Sequence, residues 1–404
     1  MGDKDDPRAR LGLRRIINAA GTMTALGASA AVAEAVEASR AILPWFVEID
    51  DLQRRASGAI AAATGAEAGF VAASAAAGVT VTIAACMTGS DPRRIAQLPD
   101  SLGMRDGVAI QRGHLIDYGA PIEQAIRLAG ARVVPVGQAR HPDAADLDSA
   151  LDGTVAAALY VVSHHCEPEG QIPLGAFAKA CRARAVPVIV DAAAEYDLRG
   201  FLAAGADLVI YSAHKFLGGL TAGIVAGRKD LVRAAYLQNG GIGRGMKVGK
   251  EGIAGAIAGL DAWGRRDHAA HRQAEEACVG RWAEQLAGVR GIRIERSPDP
   301  TGNPVTRLRV RVEAESGTSA WELVEALAAG DRPVMVRDEG IAHGYFELDP
   351  CNLRDGEAEE AAARIVAEVE KMRGRGGPAL SFAEWQARRE KARLAWPDPP
   401  PRTD

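Results

Sequence analysis

Cysteine is scarce. The 404-residue chain has five (Cys86, Cys166, Cys181, Cys278, Cys351), an odd number, scattered and without a C-x-x-C pair. That argues against a disulfide framework or a cysteine-built zinc site and for free thiols in a reducing cytoplasm, the expected location. A basic excess is missing too: 48 Lys and Arg against 52 Asp and Glu leave a net charge of -4, so no broad footprint for nucleic acid is expected. The N-terminus, MGDKDDPRAR, lacks an apolar core, and no secretory leader is expected. One run imitates a membrane span, since Gly69 to Gly89 is uncharged over about 20 residues, the length that crosses a bilayer. Its content is mostly Ala, Gly, Ser and Thr, which inserts poorly, so it reads as a buried helix and no membrane partner is expected. There is no internal repeat. With 48% hydrophobic and 25% charged residues, the chain has an ordinary globular composition and the length for two or three domains.

The most informative stretch is Val186 to Gly223, VPVIVDAAAEYDLRGFLAAGADLVIYSAHKFLGGLTAG. A short apolar strand ends on Asp191, and a second ends on Ser212-Ala213-His214-Lys215 followed by Gly218 and Gly219. An acid and a lysine at the ends of neighbouring strands lie where open α/β sheets bind ligands. Pyridoxal phosphate (PLP) chemistry asks for this pair: a lysine amine to form a Schiff base with the aldehyde, and a carboxylate to keep the pyridine nitrogen protonated. Burial would lower the lysine's pKa and make it a usable base. Ser212 is placed to hydrogen-bond the phosphate. Read singly, the same residues would be a loop-capping acid and a solvated lysine.

A second element fits the same cofactor. In GAEAGFVAASAAAGVT a short strand and a small-residue turn lead into a helix at Ser74, Ala75, Ala76 and Ala77, whose N–H groups suit a phosphate. Residues 90–106 read as a loop or flap. From residue 107 onward strands and helices alternate, which predicts a mostly parallel sheet covered on both faces. The expected organisation is an N-terminal arm with helices over 1–60, a large cofactor-binding domain over 61–264, a smaller α+β domain over 265–373 and a partly ordered tail over 374–404.

The runs LGLRRIINAAGTMTALG, GAEAGFVAASAAAG, QRGHLIDYGAPIEQAIRLAGARVVPVG, LYVVSHHCEPEG, VIVDAAAEYDLR, ADLVIYSAHKFLGG, GIGRGMKVGKEGI and YFELDPCNLRDGE carry a resemblance. Taken in order over residues 11 to 373, the chain is similar to PLP-dependent enzymes of the selenocysteine-synthase-like group, in particular its D-glucosaminate-6-phosphate ammonia-lyase branch. The resemblance implies the aminotransferase fold (fold type I), with a mostly parallel seven-stranded sheet and a smaller C-terminal α+β domain. It also implies a homodimer or higher homo-oligomer with sites at the subunit interface. Lys215 would be the Schiff-base lysine and Asp191 the pyridinium partner. Ser212, with His214 beside it, and the backbone at Ser74 to Ala77 would hold the phosphate. His114 occupies the place of a ring-stacking side chain, unless it is a satisfied loop histidine.

His164 and His165 stand beside Cys166, but adjacent residues on an extended segment point to opposite sides, so no metal site is expected there. One of Ser163, His164 and His165 would meet the cofactor's phenolic oxygen. Arg337 resembles an arginine that forks onto a substrate carboxylate. Arg244, Lys247 and Lys250 either meet an anionic substrate tail or are solvated surface charges. The implied activity is an ammonia-lyase acting on a small anionic β-hydroxy amino acid or amino-sugar acid. The rivals are amino-acid racemisation or β-replacement, selenium transfer on seryl-tRNA, and a non-catalytic binding protein. The acidic net charge, and a catalytic pattern that starts by Leu11, weigh against the tRNA role.

Overall fold

Runs such as VAAALYV and LVIYS are apolar on both sides of an extended chain, which is stable only where both sides are covered. The computed structural model describes residues 6–374 and 377–398. In chain order its strands are β1 (Ile17–Ala19), β2 (Ala68–Ala72), β3 (Gly107–Gln111), β4 (Arg132–Val136), β5 (Val155–Val161), β6 (Val188–Asp191), β7 (Leu208–Ser212), β8 (Gly223–Gly227), β9 (Ile292–Pro298), β10 (Thr306–Val312), β11 (Val334–Val336) and β12 (Tyr345–Leu348). They fall into two compact units, one of Ser29–Arg266 and one that joins the N-terminal segment through Ala28 to the chain from Asp267 onward.

The Ser29–Arg266 unit is built on a seven-stranded sheet in the order β2-β8-β7-β6-β5-β3-β4. Strands β7, β6, β5, β3 and β4 pair in parallel, and β8 runs antiparallel to both its neighbours, so only β8 is reversed. This is the mostly parallel sheet of fold type I. The two-residue period of a strand divides the core in two. Val188, Val190, Val209 and Tyr211 pack on one face, and Ile189, Leu208 and Ile210 on the other. The edge strand β4 carries Pro135, which an edge tolerates because one row of its N–H groups has no ladder partner.

The uncharged run begins in β2 and continues as the helix Ala75–Thr88, buried over nearly its whole length. Its threonines are compatible with burial because their hydroxyls return to carbonyls: Thr82 to Gly78 O at 2.8 Å, Thr88 to Ala84 O at 3.0 Å, and Thr80 to Ala125 O at 3.0 Å. Among the described residues, no helix is long and apolar enough to cross a membrane. The expected flap over 90–106 contains a helix, Pro92–Gln97, capped by Asp91.

In the other unit, β12, β10 and β9 form an antiparallel sheet, and β1 pairs in parallel with β11, Ile17 opposite Val334. Leu308 and Val310 of the sheet share a core with Trp282, whose Nε1 donates to Ala358 O at 2.9 Å and joins the helices His268–Leu286 and Glu357–Arg373. The expected partly ordered tail over 374–404 includes a helix; positions 375, 376 and 399–404 lie outside the described residues. A helix spans Phe382–Leu394, started by a reciprocal Ser381–Glu384 cap and seated by Trp385, which is buried with Ala320, Ile341 and Leu380.

Candidate active site

Two strand ends are stitched together beyond the sheet. Ala192 N–H donates to Ile210 O at 2.9 Å, and Ser212 N–H donates to Ala193 O at 3.1 Å. Asp191, the last residue of β6, therefore lies beside the turn that follows β7. That turn is tight: Gly218 N–H reaches Lys215 O at 3.0 Å and Gly219 N–H reaches Ala213 O at 2.7 Å. Gly218 adopts φ +64, a left-handed conformation in which a side chain is strained, and its added Cβ would also lie 2.8 Å from Val32 Cγ1. Lys215 is half-buried on this turn.

The Asp191 carboxylate is buried. Burial pushes its pKa up, while the Lys215 charge and the Ala193 N–H, 3.2 Å from Oδ1, act in the opposite direction. A buried acid with only partial compensation suits a cationic group brought to it. On the other side of Asp191, Val162 N–H donates to Asp191 O at 2.9 Å, which brings the turn Ser163–Cys166 to the same strand end.

Ser74 caps the helix Ala75–Thr88 by accepting the Ala77 N–H at 3.1 Å. The cap divides the expected phosphate donors, because Ala77 N–H is taken and those of Ala75 and Ala76 remain outside the helix's own ladder. At the start of β8, Gly223 is pressed against this turn, and a Cβ there would stand 2.1 Å from Ser74 O and 2.8 Å from Ala75 N. Gly223 also pairs with Ser212, so Ser74, Ala75 and Ser212 converge around a position where only glycine fits. The buried Ser212 has its Oγ 3.2 Å from His214 Nδ1. Two open N–H groups at a helix N-terminus, a nearby hydroxyl and a buried carboxylate beside a lysine fit PLP, which needs an anion cradle and a partner for its ring nitrogen.

His114 is buried, edge-on to Tyr160 with ring centroids 4.6 Å apart. Its Nδ1 accepts the Val161 N–H at 3.1 Å and so continues the β3–β5 ladder past Gln111, which leaves the proton of the neutral ring on Nε2. Burial depresses the imidazole to about 4. The folded value lies below the unfolded one, near 6.5, so stability is intact above that pH and is lost as pH falls towards 4, by about 2 kcal/mol at pH 5. His114→Gln, which keeps an acceptor for Val161, is expected to flatten that acid limb in urea titrations at pH 7 and pH 5. An unchanged loss between the two would refute this role.

The extended segment expected at His164 and His165 is a turn, with Cys166 N–H donating to Ser163 O at 3.0 Å and Ser163 Oγ accepting His165 N–H at 3.2 Å. The two rings accordingly lie on one side, with centroids 3.9 Å apart, and the opposite-sides argument does not hold for this pair.

In the other unit, Arg337 is buried, and its Nε donates to Glu339 Oε2 at 2.8 Å. Backbone bonds of 2.9 Å to and from Glu347 fix its position. Arg244 and Lys247 are exposed beside Met246, whose carbonyl accepts Ala73 N–H at 3.2 Å, next to the Ser74 turn. Lys250 Nζ donates to Trp45 O and lies over the Phe46 ring.

Three groups near Asp191 were given no site role from the sequence. The Tyr118 phenol is pushed up to about 12, first by burial and then by the charges of Asp191 and Asp117. Glu195 is a buried acid in the same DAAAE run as Asp191. Cys166 is held as the thiol, pushed up to about 12 by burial and by the Asp191 and Glu195 charges. An acid inside an alanine run was the one available signal, and it pointed to Glu195.

The sheet, its single reversed strand and the charge pair at adjacent strand ends define a PLP-dependent enzyme of fold type I. The chain belongs to the selenocysteine-synthase-like family of these enzymes, the group that includes D-glucosaminate-6-phosphate ammonia lyase, and its cofactor is pyridoxal phosphate. It is 38% identical to that enzyme of Salmonella typhimurium over 357 residues, 88% of this chain and 96% of the relative. A solved structure of D-glucosaminate-6-phosphate ammonia-lyase matches with TM-score 0.82 and 37% identity, covering 91% of this chain and 99% of that one. A Streptomyces 5'-C-glycyluridine monooxygenase-decarboxylase is 34% identical over 89% of this chain and 90% of its own. A solved structure of SPT with PLP, at 14% identity and TM-score 0.56 over 89% of this chain and 88% of that one, shares the fold alone. The family model for L-seryl-tRNA selenium transferase matches residues 186–285, the segment that holds Asp191 and Lys215.

Proposed function

We propose that this protein is a PLP-dependent ammonia-lyase acting in the cytoplasm on a β-hydroxy amino acid or amino-sugar acid of the D-glucosaminate-6-phosphate kind. The observation that carries the reading is the buried Asp191 facing the Lys215 turn, in a chain 38% identical to a named ammonia lyase. Bound cofactor supplies an electron sink for the pair left when Cα loses its proton. Asp191 holds a proton on the pyridine nitrogen, and its burial makes that charge pairing strong. Ser212 and the N–H groups of Ala75 and Ala76 would hold the phosphate, and Ser163 or a histidine of the same turn would meet the phenolic oxygen. Lys215 Nζ takes the Cα proton, the Cβ hydroxyl leaves as water, and one water is taken up as ammonia is released. The net change is an amino acid converted to a 2-oxo acid and ammonia.

The Arg337 guanidinium suits the substrate carboxylate by its fork geometry, with Glu339 as its present partner. Arg244 and Lys247, exposed beside the Ser74 turn, suit an anionic tail. The assay that tests this activity follows ammonia, 2-oxo acid, stereoinversion, carbon dioxide and dioxygen uptake on one panel of amino-sugar acids with and without phosphate. Ammonia and 2-oxo acid in equal amounts are expected, with no dioxygen consumed. Stereoinversion alone would mean a racemase, and dioxygen uptake with decarboxylation would mean the chemistry named for the Streptomyces relative.

The same reading includes a homodimer or larger assembly. Trp45 is 68% exposed and Phe46 fully so, alongside exposed Leu43, Val47 and Ile49, an apolar run unusual for a surface that stays in water. Trp45→Ser with Phe46→Ser is expected to lower the oligomer mass by at least half in light scattering. An unchanged mass would remove this run from the interface.

A further inference from the structure

Within the unit that holds residues from Asp267 onward, the C-terminal helix Phe382–Leu394 is tied to the loop that carries Arg337. Its entry is fixed first: Trp321 Nε1 donates to Leu380 O at 2.8 Å, and Glu322 Oε1 accepts the N–H groups of Ala379 and Leu380 at 2.8 and 3.1 Å. Trp385 then packs in one apolar cluster with Ile341, a residue of the Arg337 loop itself. One turn further on, the Arg389 guanidinium lies over the Trp385 ring at 4.6 Å and donates to Asp338 Oδ2 at 2.6 Å. Asp338 O accepts the Ile341 N–H at 3.0 Å and closes the loop. Asp338 separates Arg337 from Glu339, the carboxylate that forks onto Arg337.

A half-exposed ion pair alone contributes little. Here the arginine is also fixed by an aromatic face, and that aromatic is itself anchored in the cluster that holds Ile341. Two contacts from one rigid helix therefore grip both ends of a four-residue turn, and the residue just before that turn is Arg337. The helix offers the loop no reacting group. Its effect on chemistry would run through where Arg337 stands.

We infer that the C-terminal helix is a positioning element for substrate recognition: Arg389 and Trp385 hold Asp338 and Ile341, and thereby set the guanidinium of Arg337 for a substrate carboxylate. This rests on the reading of Arg337 proposed above. Arg389 and Asp338 are positioning residues, and the step they govern is binding rather than proton transfer.

The test uses full-length, cofactor-loaded protein carrying Arg389→Ala, Asp338→Asn, Arg389→Lys, or the reversed pair Arg389→Asp with Asp338→Arg. Two quantities are read: steady-state KM and kcat for the amino-acid substrate, and amide hydrogen exchange at Ile341, His343 and Gly344. The expected result for the first two variants is KM raised about three- to tenfold with kcat within about twofold, and exchange at the three amides faster by a similar factor. Arg389→Lys and the reversed pair should recover at least half of both effects. Unchanged exchange in Arg389→Ala and Asp338→Asn overturns the inference, because the helix then does not hold the loop. Faster exchange with KM unchanged overturns it as well, leaving the helix a role in stability alone. Arg337→Lys is measured alongside. If it leaves KM unchanged, the carboxylate reading of Arg337 fails, and the exchange data still decide whether the helix grips the loop.

Discussion

Lys215→Ala is expected to lower kcat for ammonia release by about 10³-fold, the scale of losing a positioned proton carrier. The turn that presents Lys215 is held by backbone bonds from Gly218 and Gly219, none of which uses the lysine side chain, so the variant should keep its fold. Its side chain is the amine at the end of β7 whose charge reaches Asp191; the proposal has it move the Cα proton, and the family resemblance implies that it also captures the cofactor aldehyde. Two measurements separate them. Borohydride reduction should attach cofactor to the peptide that contains Lys215 in the wild type and to no peptide in the variant. Added small primary amines should restore part of the rate if proton transfer is what was lost. Attachment that survives Lys215→Ala unchanged would end the assignment.

Asp191→Asn should cost about 10²- to 10³-fold in kcat, the range for removing one fixed charge from a water-poor site. The substitution keeps the volume and an oxygen for the Ala193 N–H, so what disappears is the charge. Its effect on stability should have the opposite sign. Burial raises the Asp191 pKa above its unfolded value, so the folded chain disfavours the ionised form. The stability associated with this group is greatest below the unfolded pKa and falls as pH rises through the folded one. At neutral pH the cofactor-free Asn variant should therefore be at least as stable as wild type in thermal melts, while remaining nearly inactive. A variant that is both inactive and clearly less stable would make Asp191 a structural residue.

The relatives bring out an ambiguity that residues alone do not resolve. At 38% and 34% identity, this chain resembles two enzymes named for different reactions, an ammonia lyase and a monooxygenase-decarboxylase. An acid and a lysine at adjacent strand ends serve either, since both roles belong to the cofactor's electronics. Tyr118, Glu195 and Cys166 also stand near Asp191. Sequence reasoning passed over all three because a phenol in a loop, an acid in an alanine run and a lone thiol each have an ordinary surface or core explanation.

What the amino-acid sequence determined by itself is whatever a local period can encode. Alternation in VIVD and LVIYS assigns each side chain to one of two core faces, and the end of the apolar run marks where Asp191 and Lys215 emerge. Ser74 before an alanine run marks a helix start. Pairing over distance belongs to the tertiary structure. The match of β1 with β11 joins the two ends of the chain, the turn at Ser163–Cys166 brings two histidine rings to one side, and Trp385 turns a charged, proline-rich tail into a docked helix. Each depends on which distant surface is available to bury a short apolar segment, and three or four residues carry no record of that surface.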